Sequence, residues 1–425
     1  MIEIISANIL KNISERRSRR KRSARQTEVA QQVAAIIDHI AKEGLPALLS
    51  YIKQFDAPQI TEKNLWVTEA EIDAAHAMLA DEDISALRLA IKLISDYHAK
   101  QVPQGWEMKI LSGSTVGMRY SPIERVGVYV PGGRALYPST VLMNVIPARL
   151  AGVPDIIMTT PPGRDGNVFP LILATAKELG LTKILKAGGA HAVAGLALGW
   201  EGFQAVDKIV GPGNAYVTEA KRLVYGLVGI DKLAGPSDVT VLADESAVVS
   251  RIAWELLAQA EHDPDSEVFL VTTHKPLAEA VLERIRSELF TLPRKSIIEQ
   301  AFKNSAIFMA SSMTEAYAAV NALAPEHLQL MVTQPRNAVF YIHHAGAIFM
   351  GNDSPVALGD YMIGPNHVLP TSGTARYASP LSVFDFLKSS SLIQVSPGDR
   401  AALAPDVQRL AQLEGLEAHA RSVAT

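Results

Sequence analysis

Twice between Arg125 and Val332 the sequence alternates short apolar runs of strand length with longer stretches of helical periodicity. A parallel sheet covered by helices accommodates such a pattern. In the first block, residues 126–130 form an apolar run ending in Pro131-Gly132-Gly133. A helical stretch at 140–151, a strand at 155–160, a Pro-Pro-Gly turn at 161–163, a helix at 169–179 and a strand at 183–187 follow. The second block places strands at 239–243, 267–272, 306–309 and 328–332, with helices at 246–261, 276–289 and 314–323. Two blocks of this size predict two doubly wound domains facing a cleft. Ahead of them, apolar residues recur at helical spacing through 27–51 (Val29, Val33, Ile36, Ile37, Ile40), and 69–98 reads as further helix. After Pro380 a helix-rich tail is expected.

A chain of 425 residues exceeds what one hydrophobic core usually organises, in agreement with at least two domains. The net charge of −4 argues against a nucleic-acid binder. No apolar run reaches the ~20 residues that a membrane helix needs. The opening MIEIISANIL lacks the charged-then-apolar order of a secretion signal, so a cytoplasmic protein is expected. One basic cluster stands out: Arg16, Arg17, Arg19, Arg20, Lys21, Arg22 and Arg25. It reads as a solvated helix face, as an arm pairing with acidic residues of a partner subunit, or as a nucleic-acid patch. Cysteine is absent, which excludes disulfides, thiolate metal sites and thiol catalysis.

Gly132-Gly133, Gly188-Gly189 and Gly211-Pro212-Gly213-Asn214 each follow an apolar strand. Such turns either let backbone amides approach a phosphate or ribose or serve only to join strand to helix, and none is a G-x-G-x-x-G. Gln259 and His262 lie three apart near the end of an expected helix, so both project from one face. Imidazole is the commonest metal ligand and an amide oxygen can complete an oxygen-rich shell; the other reading is polar surface. A zinc site needs ligands from elsewhere, such as Asp360, His367 or His419. Glu326-His327 follows Pro325 at the entrance to the apolar stretch 328–331. A carboxylate beside an imidazole there either divides general-base work between an alcohol and a water, or is an exposed loop dipeptide. His343-His344 is read as structural.

Seven segments, in order over nearly the whole chain, carry a resemblance. They are RVGVYVPGG from Arg125, DKIVGPGN from Asp207, AGPS from Ala234, AQAEHD from Ala258, APEHL from Ala324, Gly359-Asp360 with NHVLPT from Asn366, and EGLEAH from Glu414. Together the chain resembles the histidinol dehydrogenase family. The resemblance implies two Rossmann-like, doubly wound α/β domains with small helical N- and C-terminal accessory segments, in an intertwined homodimer with shared active sites. It implies one zinc ion per subunit, held by Gln259, His262, Asp360 and, from the other subunit, His419. The implied catalytic pair is Glu326 and His327. Implied substrate contacts are Ser237, Gln259, His262, His327, Asp360, His367, Glu414 and His419, and implied NAD contacts are Tyr129, His191 and Asn214. On the cofactor side, His191 stands where the family usually has glutamine, and Trp200-Glu201-Gly202 replaces the usual Thr-Glu-Ser. The implied division of the chain is an arm at 1–25, a first α/β domain from 26–125 with 238–380 carrying the metal and catalytic residues, an NAD-side domain at 126–237, and an exchanged helical tail at 381–425.

The activity implied is the four-electron oxidation of L-histidinol through its aldehyde to L-histidine, a small-molecule reaction using two NAD per turnover. Many aldehyde oxidisers capture the aldehyde on cysteine. Without one, the aldehyde must be hydrated. Glu326 is expected to activate that water, His327 to take the alcohol proton, and zinc to fix the amine and imidazole nitrogens of the substrate. The alternatives are a family relative acting on a different amino or sulfonated alcohol, and a zinc hydrolase without NAD.

Overall fold

The computed structural model describes residues 2–19, 24–132 and 137–424. Of the sequence features above, Gly133 and the basic residues Arg20, Lys21 and Arg22 lie outside the described residues. The strands, in chain order, are β1 (Glu3–Ile5), β2 (Trp106–Ile110), β3 (Ser114–Pro122), β4 (Arg125–Tyr129), β5 (Asp155–Thr160), β6 (Ile184–Lys186) and β7 (Lys208–Val210). They continue with β8 (Gly229–Ile230), β9 (Asp238–Ala243), β10 (Glu267–Thr272), β11 (Ala306–Met309), β12 (His327–Met331), β13 (Ala347–Met350) and β14 (Leu387–Gln394).

Two sheets are parallel throughout, with strand orders β6-β5-β4-β7-β8 and β1-β11-β10-β9-β12-β13. From β4 in the first sheet and from β9 in the second, the chain winds outward to one side, then recrosses that strand and winds to the other, with β1 added at the edge of the second sheet. Helices cover both faces, which is why the strands read as unbroken apolar runs. The period of two assigns alternate residues to opposite cores: Val239, Val241, Val268 and Leu270 to one face, Leu242, Phe269 and Val271 to the other. Two doubly wound domains were expected, and two are present.

The grouping of the flanking segments differs from expectation. The helix Ala24–Glu43 does bury the predicted stripe, but Val29, Val33 and Ile40 pack with Leu185, Ala192 and Val193 on the five-stranded sheet. The helix Asp81–Ala99 covers its other face through Ala90 and Ile94 beside Val141 and Leu142. Residues 26–99 therefore complete the 126–237 domain, not the 238–380 domain: amphipathic periodicity fixes an apolar stripe without naming the sheet it covers. Nor is the first stretch a separate arm. β1 extends the six-stranded sheet beside β11, the helix Ile9–Arg19 buries Ile9 and Ile13 in that domain, and Arg16 donates to the Asn304 carbonyl. No helix among the described residues is long and apolar enough to cross a membrane.

The tail is not wholly helical either. β14 pairs with β3 antiparallel from Leu387↔Pro122 to Gln394↔Thr115, and β2 completes a three-stranded sheet. The helices Pro397–Leu413 and Glu417–Ser422 follow. Asp399, in the first turn of the former, accepts hydrogen bonds from Ser112 N (3.3 Å) and Oγ (2.6 Å), Gly113 N (2.9 Å) and Ser114 Oγ (2.6 Å). The Ser112 and Ser114 hydroxyls hold its carboxyl well below the ordinary range. A depressed carboxyl contributes stability that is complete above its unfolded value of ~3.9 and fades only as pH falls further through its folded value. Asp399→Ala is therefore expected to let protease clip the C-terminal helices several-fold faster than in the parent, at pH 7 and down to about pH 4 alike. Equal clipping rates at pH 7 would contradict this anchor.

Candidate active site

The chain passes from the end of one parallel sheet to the start of the other. Segment 231–237 leaves the carboxyl end of β8 and feeds the amino end of β9. Lys232 pins it by donating to the carbonyls of Val368 and Ser379, both at 2.8 Å, and burial draws its ammonium down to about 8 against the pull of Asp231 and Asp385. Ser237 directly precedes β9, its carbonyl accepting from Glu267 N at 3.1 Å.

β12 lies beside β9 with His327 in register with Val239. The helix Met313–Leu323 ends in left-handed Ala324, and Pro325 directs the chain into Glu326. Glu326 N donates to Asp238 Oδ1 at 2.9 Å while Asp238 N donates to Glu326 Oε2 at 3.0 Å. His327 Nδ1 lies 3.1 Å from the Asp238 carbonyl. A carbonyl only accepts, so Nδ1 carries the proton and Nε2 is the free position. That Nε2 is buried without a hydrogen-bond partner, 3.7 Å from Asp360 Oδ1. Burial raises the Glu326 carboxyl; burial lowers His327, but Glu326 and Asp360 outweigh it and raise the imidazole. The pair is thus interior, which removes the exposed-loop reading.

Gln259 and His262 lie at the end of the helix Val249–Ala260, which runs back from β9 and so also finishes at the amino edge of the sheet. Gln259 is buried, whereas His262 is at the solvent rim. Crowding by protein still pushes the His262 ring below its ordinary value, against Asp360. Asp360 comes from the short helix Val356–Tyr361. Burial raises its carboxyl, but the imidazoles of His327, His367 and His262 outweigh that and hold it below its ordinary value. His367 Nδ1 bonds the Asp360 carbonyl at 2.8 Å, which fixes the ring, and burial lowers its affinity for a second proton.

Two residues had escaped notice in the sequence. Asp238 orients both members of the catalytic pair. Glu255, buried one helical turn before Gln259, accepts from Val356 N at 3.2 Å and so ties the Gln259–His262 helix to the start of the Asp360 helix. Burial raises Glu255 to about 7. The i−4 relation to Gln259 was the available signal.

Glu414 and His419 are not brought to this cluster. Both are exposed on the C-terminal helices. Among the described residues no group of three or more His, Asp or Glu side chains is drawn together as a metal site. One chain thus offers an imidazole and a carboxylate that sense each other's charge, His262 and Asp360, and a buried amide, Gln259, on the same helix end as His262. That is a fitting but incomplete donor set for zinc, which favours four ligands of these kinds.

The carboxyl ends of the five-stranded sheet carry the expected cofactor residues. Tyr129 ends β4, buried, its hydroxyl accepting from Gly189 N at 3.0 Å; burial pushes the phenol up to about 12. Asn214 caps the helix Ala215–Val224 by accepting from Tyr216 N and Val217 N. Gly211 adopts φ 112°, and a Cβ there would lie 2.1 Å from the Tyr129 carbonyl oxygen, so only glycine fits. The turn is clamped by a buried Lys221–Asp231 ion pair: Asp231 accepts from Gly211 N at 2.8 Å and Lys221 donates to Gly211 O at 2.9 Å. His191 turns inward, Nε2 2.8 Å from Asp56 Oδ2. His343 and His344 donate their backbone amides to Asn321 Oδ1 and serve the loop.

A sequence profile described as histidinol dehydrogenase matches residues 19–425. The chain belongs to the histidinol dehydrogenase family. It is 46% identical over 405 residues to the histidinol dehydrogenase of Heliobacterium mobile, covering 95% of both chains. It is 47% identical over 397 residues to that of Bacillus subtilis, covering 93% of this chain and 92% of the relative. The solved histidinol dehydrogenase of Elizabethkingia anophelis superimposes with a TM-score of 0.89 at 39% identity, covering 93% of this chain and 91% of that one. The fold expected from the motifs is thus the histidinol dehydrogenase fold.

Within that fold the Glu255–Val356 bond joins two helices that bear polar site residues. Glu255→Ala leaves a buried N–H unpaired and is expected to cost about 1–3 kcal/mol in denaturant unfolding, with Glu255→Gln, which retains an oxygen acceptor, costing less. Equal losses for both variants would show that the hydrogen bond is not what matters there.

Proposed function

We propose that this protein oxidises L-histidinol through L-histidinaldehyde to L-histidine, the closing oxidation of histidine biosynthesis, with NAD as hydride acceptor and one zinc ion per subunit, as a cytoplasmic homodimer. The observation that carries the reading is the electrostatic convergence of His262, Asp360 and His367 on the buried Glu326–His327 pair, with Gln259 buried on the helix that ends at His262. A positively charged ligand suits that cluster, because the carboxyls of Glu326 and Asp360 flank His327, Glu326 on the Nδ1 side at 3.8 Å and Asp360 on the Nε2 side at 3.7 Å.

When bound, zinc would hold the amine and imidazole nitrogens of the substrate and NAD would accept hydride. The residues of the chain do the rest. In the neutral ring, whose tautomer the Asp238 carbonyl sets, His327 Nε2 takes the hydroxyl proton as the alcohol becomes an aldehyde. One Glu326 oxygen is committed to Asp238 N, and the other is available to take a proton from the water that adds to the aldehyde carbon. The resulting gem-diol gives up the second hydride and becomes the acid, so no thiol is needed. Over the cycle one alcohol, one water and two NAD become one acid, two NADH and two protons.

Glu414 and His419 join this scheme as residues supplied by the second subunit. Their exposure supports that, as does the unpartnered apolar face of the helix that precedes them: Leu403, Val407, Leu410 and Leu413 recur at helical spacing and are exposed. A cavity of about 1370 Å³ beside edge strand β13, bordered by Ile348, Met350, Leu358 and Phe384, offers room for such a partner segment.

Two NADH are expected per histidinol consumed, and prior treatment with a chelator should abolish turnover until zinc is restored. One NADH per histidinol, or full rate in a metal-free preparation, would overturn the reading. For the shared site, His262→Ala and His419→Ala chains should each be inactive alone and regain activity when mixed, since one site of the mixed dimer is intact. Absence of recovery after verified subunit exchange would exclude exchange of the tail.

A further inference from the structure

The turn between β6 and the helix Gly189–Leu198 is held from outside its own domain sheet. Asp56 ends the π-helical turn Ile52–Asp56, far from this turn in sequence. Its Oδ2 accepts from Gly188 N at 3.0 Å and from His191 Nε2 at 2.8 Å. Both side chains are almost fully enclosed, at 8% exposure for Asp56 and 3% for His191. The His191 ring stacks on Tyr51 and Phe55, with centroids 6.2 Å and 6.0 Å away. The next amide, Gly189 N, donates to the Tyr129 hydroxyl, and Gly189 itself sits at φ 59°. A Cβ at Gly188 would meet Pro161 Cβ at 2.6 Å, so the turn is also closed by contact.

These bonds form one chain, from His191 through Asp56 to Gly188, and through Gly189 to the phenol of Tyr129. We propose that Asp56 and His191 are positioning residues for the dinucleotide: Asp56 fixes the Gly188–Gly189 turn and thereby the Tyr129 hydroxyl, and His191 acts through Asp56 and not by touching the cofactor. This rests on the reading of NAD as the hydride acceptor. The arrangement has an electrostatic consequence. The first amides of this helix would ordinarily attract a phosphate. Here Gly188 N already donates to the Asp56 carboxylate and Gly189 N to the Tyr129 hydroxyl, so the turn suits an uncharged part of the dinucleotide better than its pyrophosphate. With the Tyr129 oxygen engaged as an acceptor, its proton is left to donate to a ligand oxygen. Asp56 carries a further structural benefit, because a negative charge at a helix N-terminus is favourable. Stability and cofactor binding must therefore be read separately.

The experiment measures NADH affinity by fluorescence titration, and steady-state kinetics with NAD and histidinol varied independently, on the full-length protein. Asp56→Ala is expected to weaken NADH binding and raise the KM for NAD by about ten-fold, while kcat at saturating NAD and the KM for histidinol stay within about two-fold. His191→Phe keeps the ring stack but removes the bond to Asp56, and should weaken NADH by about three-fold. The double variant should be no weaker than Asp56→Ala alone, because His191 acts through Asp56. Asp56→Asn, which preserves shape, is read in the same way if the alanine variant does not fold. Unchanged NADH affinity in a folded Asp56 variant, additive losses in the double variant, or a fall in kcat with NADH affinity intact would each overturn the proposal. A parent protein that neither binds NADH nor forms it from histidinol would instead remove the function on which the proposal rests.

Discussion

The active region depends on one reciprocal contact. Asp238 begins the central strand of the six-stranded sheet and Glu326 precedes its neighbour, and each backbone amide donates to the other's carboxylate. The exchange satisfies two buried amides and two buried acids in a place where an unpaired group of either kind would be costly. It also leaves the Asp238 carbonyl facing His327, which selects the imidazole tautomer. Burial of Glu326, its raised carboxyl and the free Nε2 of His327 all follow from strands β9 and β12 being joined at this point. The neighbouring groups are held by similar means, Asp360 through its helix and Glu255, and His367 through the Asp360 carbonyl.

Open α/β sheets usually present ligands at the carboxyl ends of their strands, where the winding direction changes. The five-stranded sheet follows that pattern with Tyr129, Gly188 and Gly211. The six-stranded sheet keeps the crossover between β9 and β12 but uses their amino ends. Segment 231–237 explains the difference, since it runs directly from the carboxyl edge of one sheet to the amino edge of the other. Lys232 fastens that passage to the Val368 and Ser379 backbone. Asn366 adds a second tie, donating to the Met143 carbonyl at 2.6 Å across the two domains.

The inner strands of both sheets were legible in the sequence because burial on two faces leaves no polar alternation, and 155–160, 267–272 and 306–309 coincide with observed strands, whereas the edge strands β1, β8 and β13 were not anticipated. β14 was not legible. Its sequence LKSSSLIQ is largely exposed and has neither a buried run nor a clean alternation, so the helices after it dominated the reading. The helix Ala24–Glu43 was visible but its partner sheet was not. At the site, Gln259 and His262 were found through local spacing, and Asp360, His367, Glu326 and His327 through motifs. What stayed hidden were contacts between distant positions: Asp238 with Glu326, Glu255 with Val356, and Asp56 with His191. His191 could be noticed as an unusual residue, but nothing in the sequence links it to an aspartate 135 positions earlier.

The strand pairings also impose an order on biosynthesis. Residues 24–230 hold every strand of the five-stranded sheet and the helices that cover it, so the sheet can assemble early, but one of its cores stays incomplete until Val368, Leu381, Val383 and Phe386 are made. The first strand of the protein has no such opportunity. Glu3 pairs with Ala306, so the amino terminus must wait until most of the polypeptide has left the ribosome before it finds its place. β3 waits longer still for β14. Contacts of this sequence separation are slow to form. The nascent chain therefore carries an assembled sheet with one core still unfilled, and β1 is the strand that stays unpaired longest and most needs protection during synthesis.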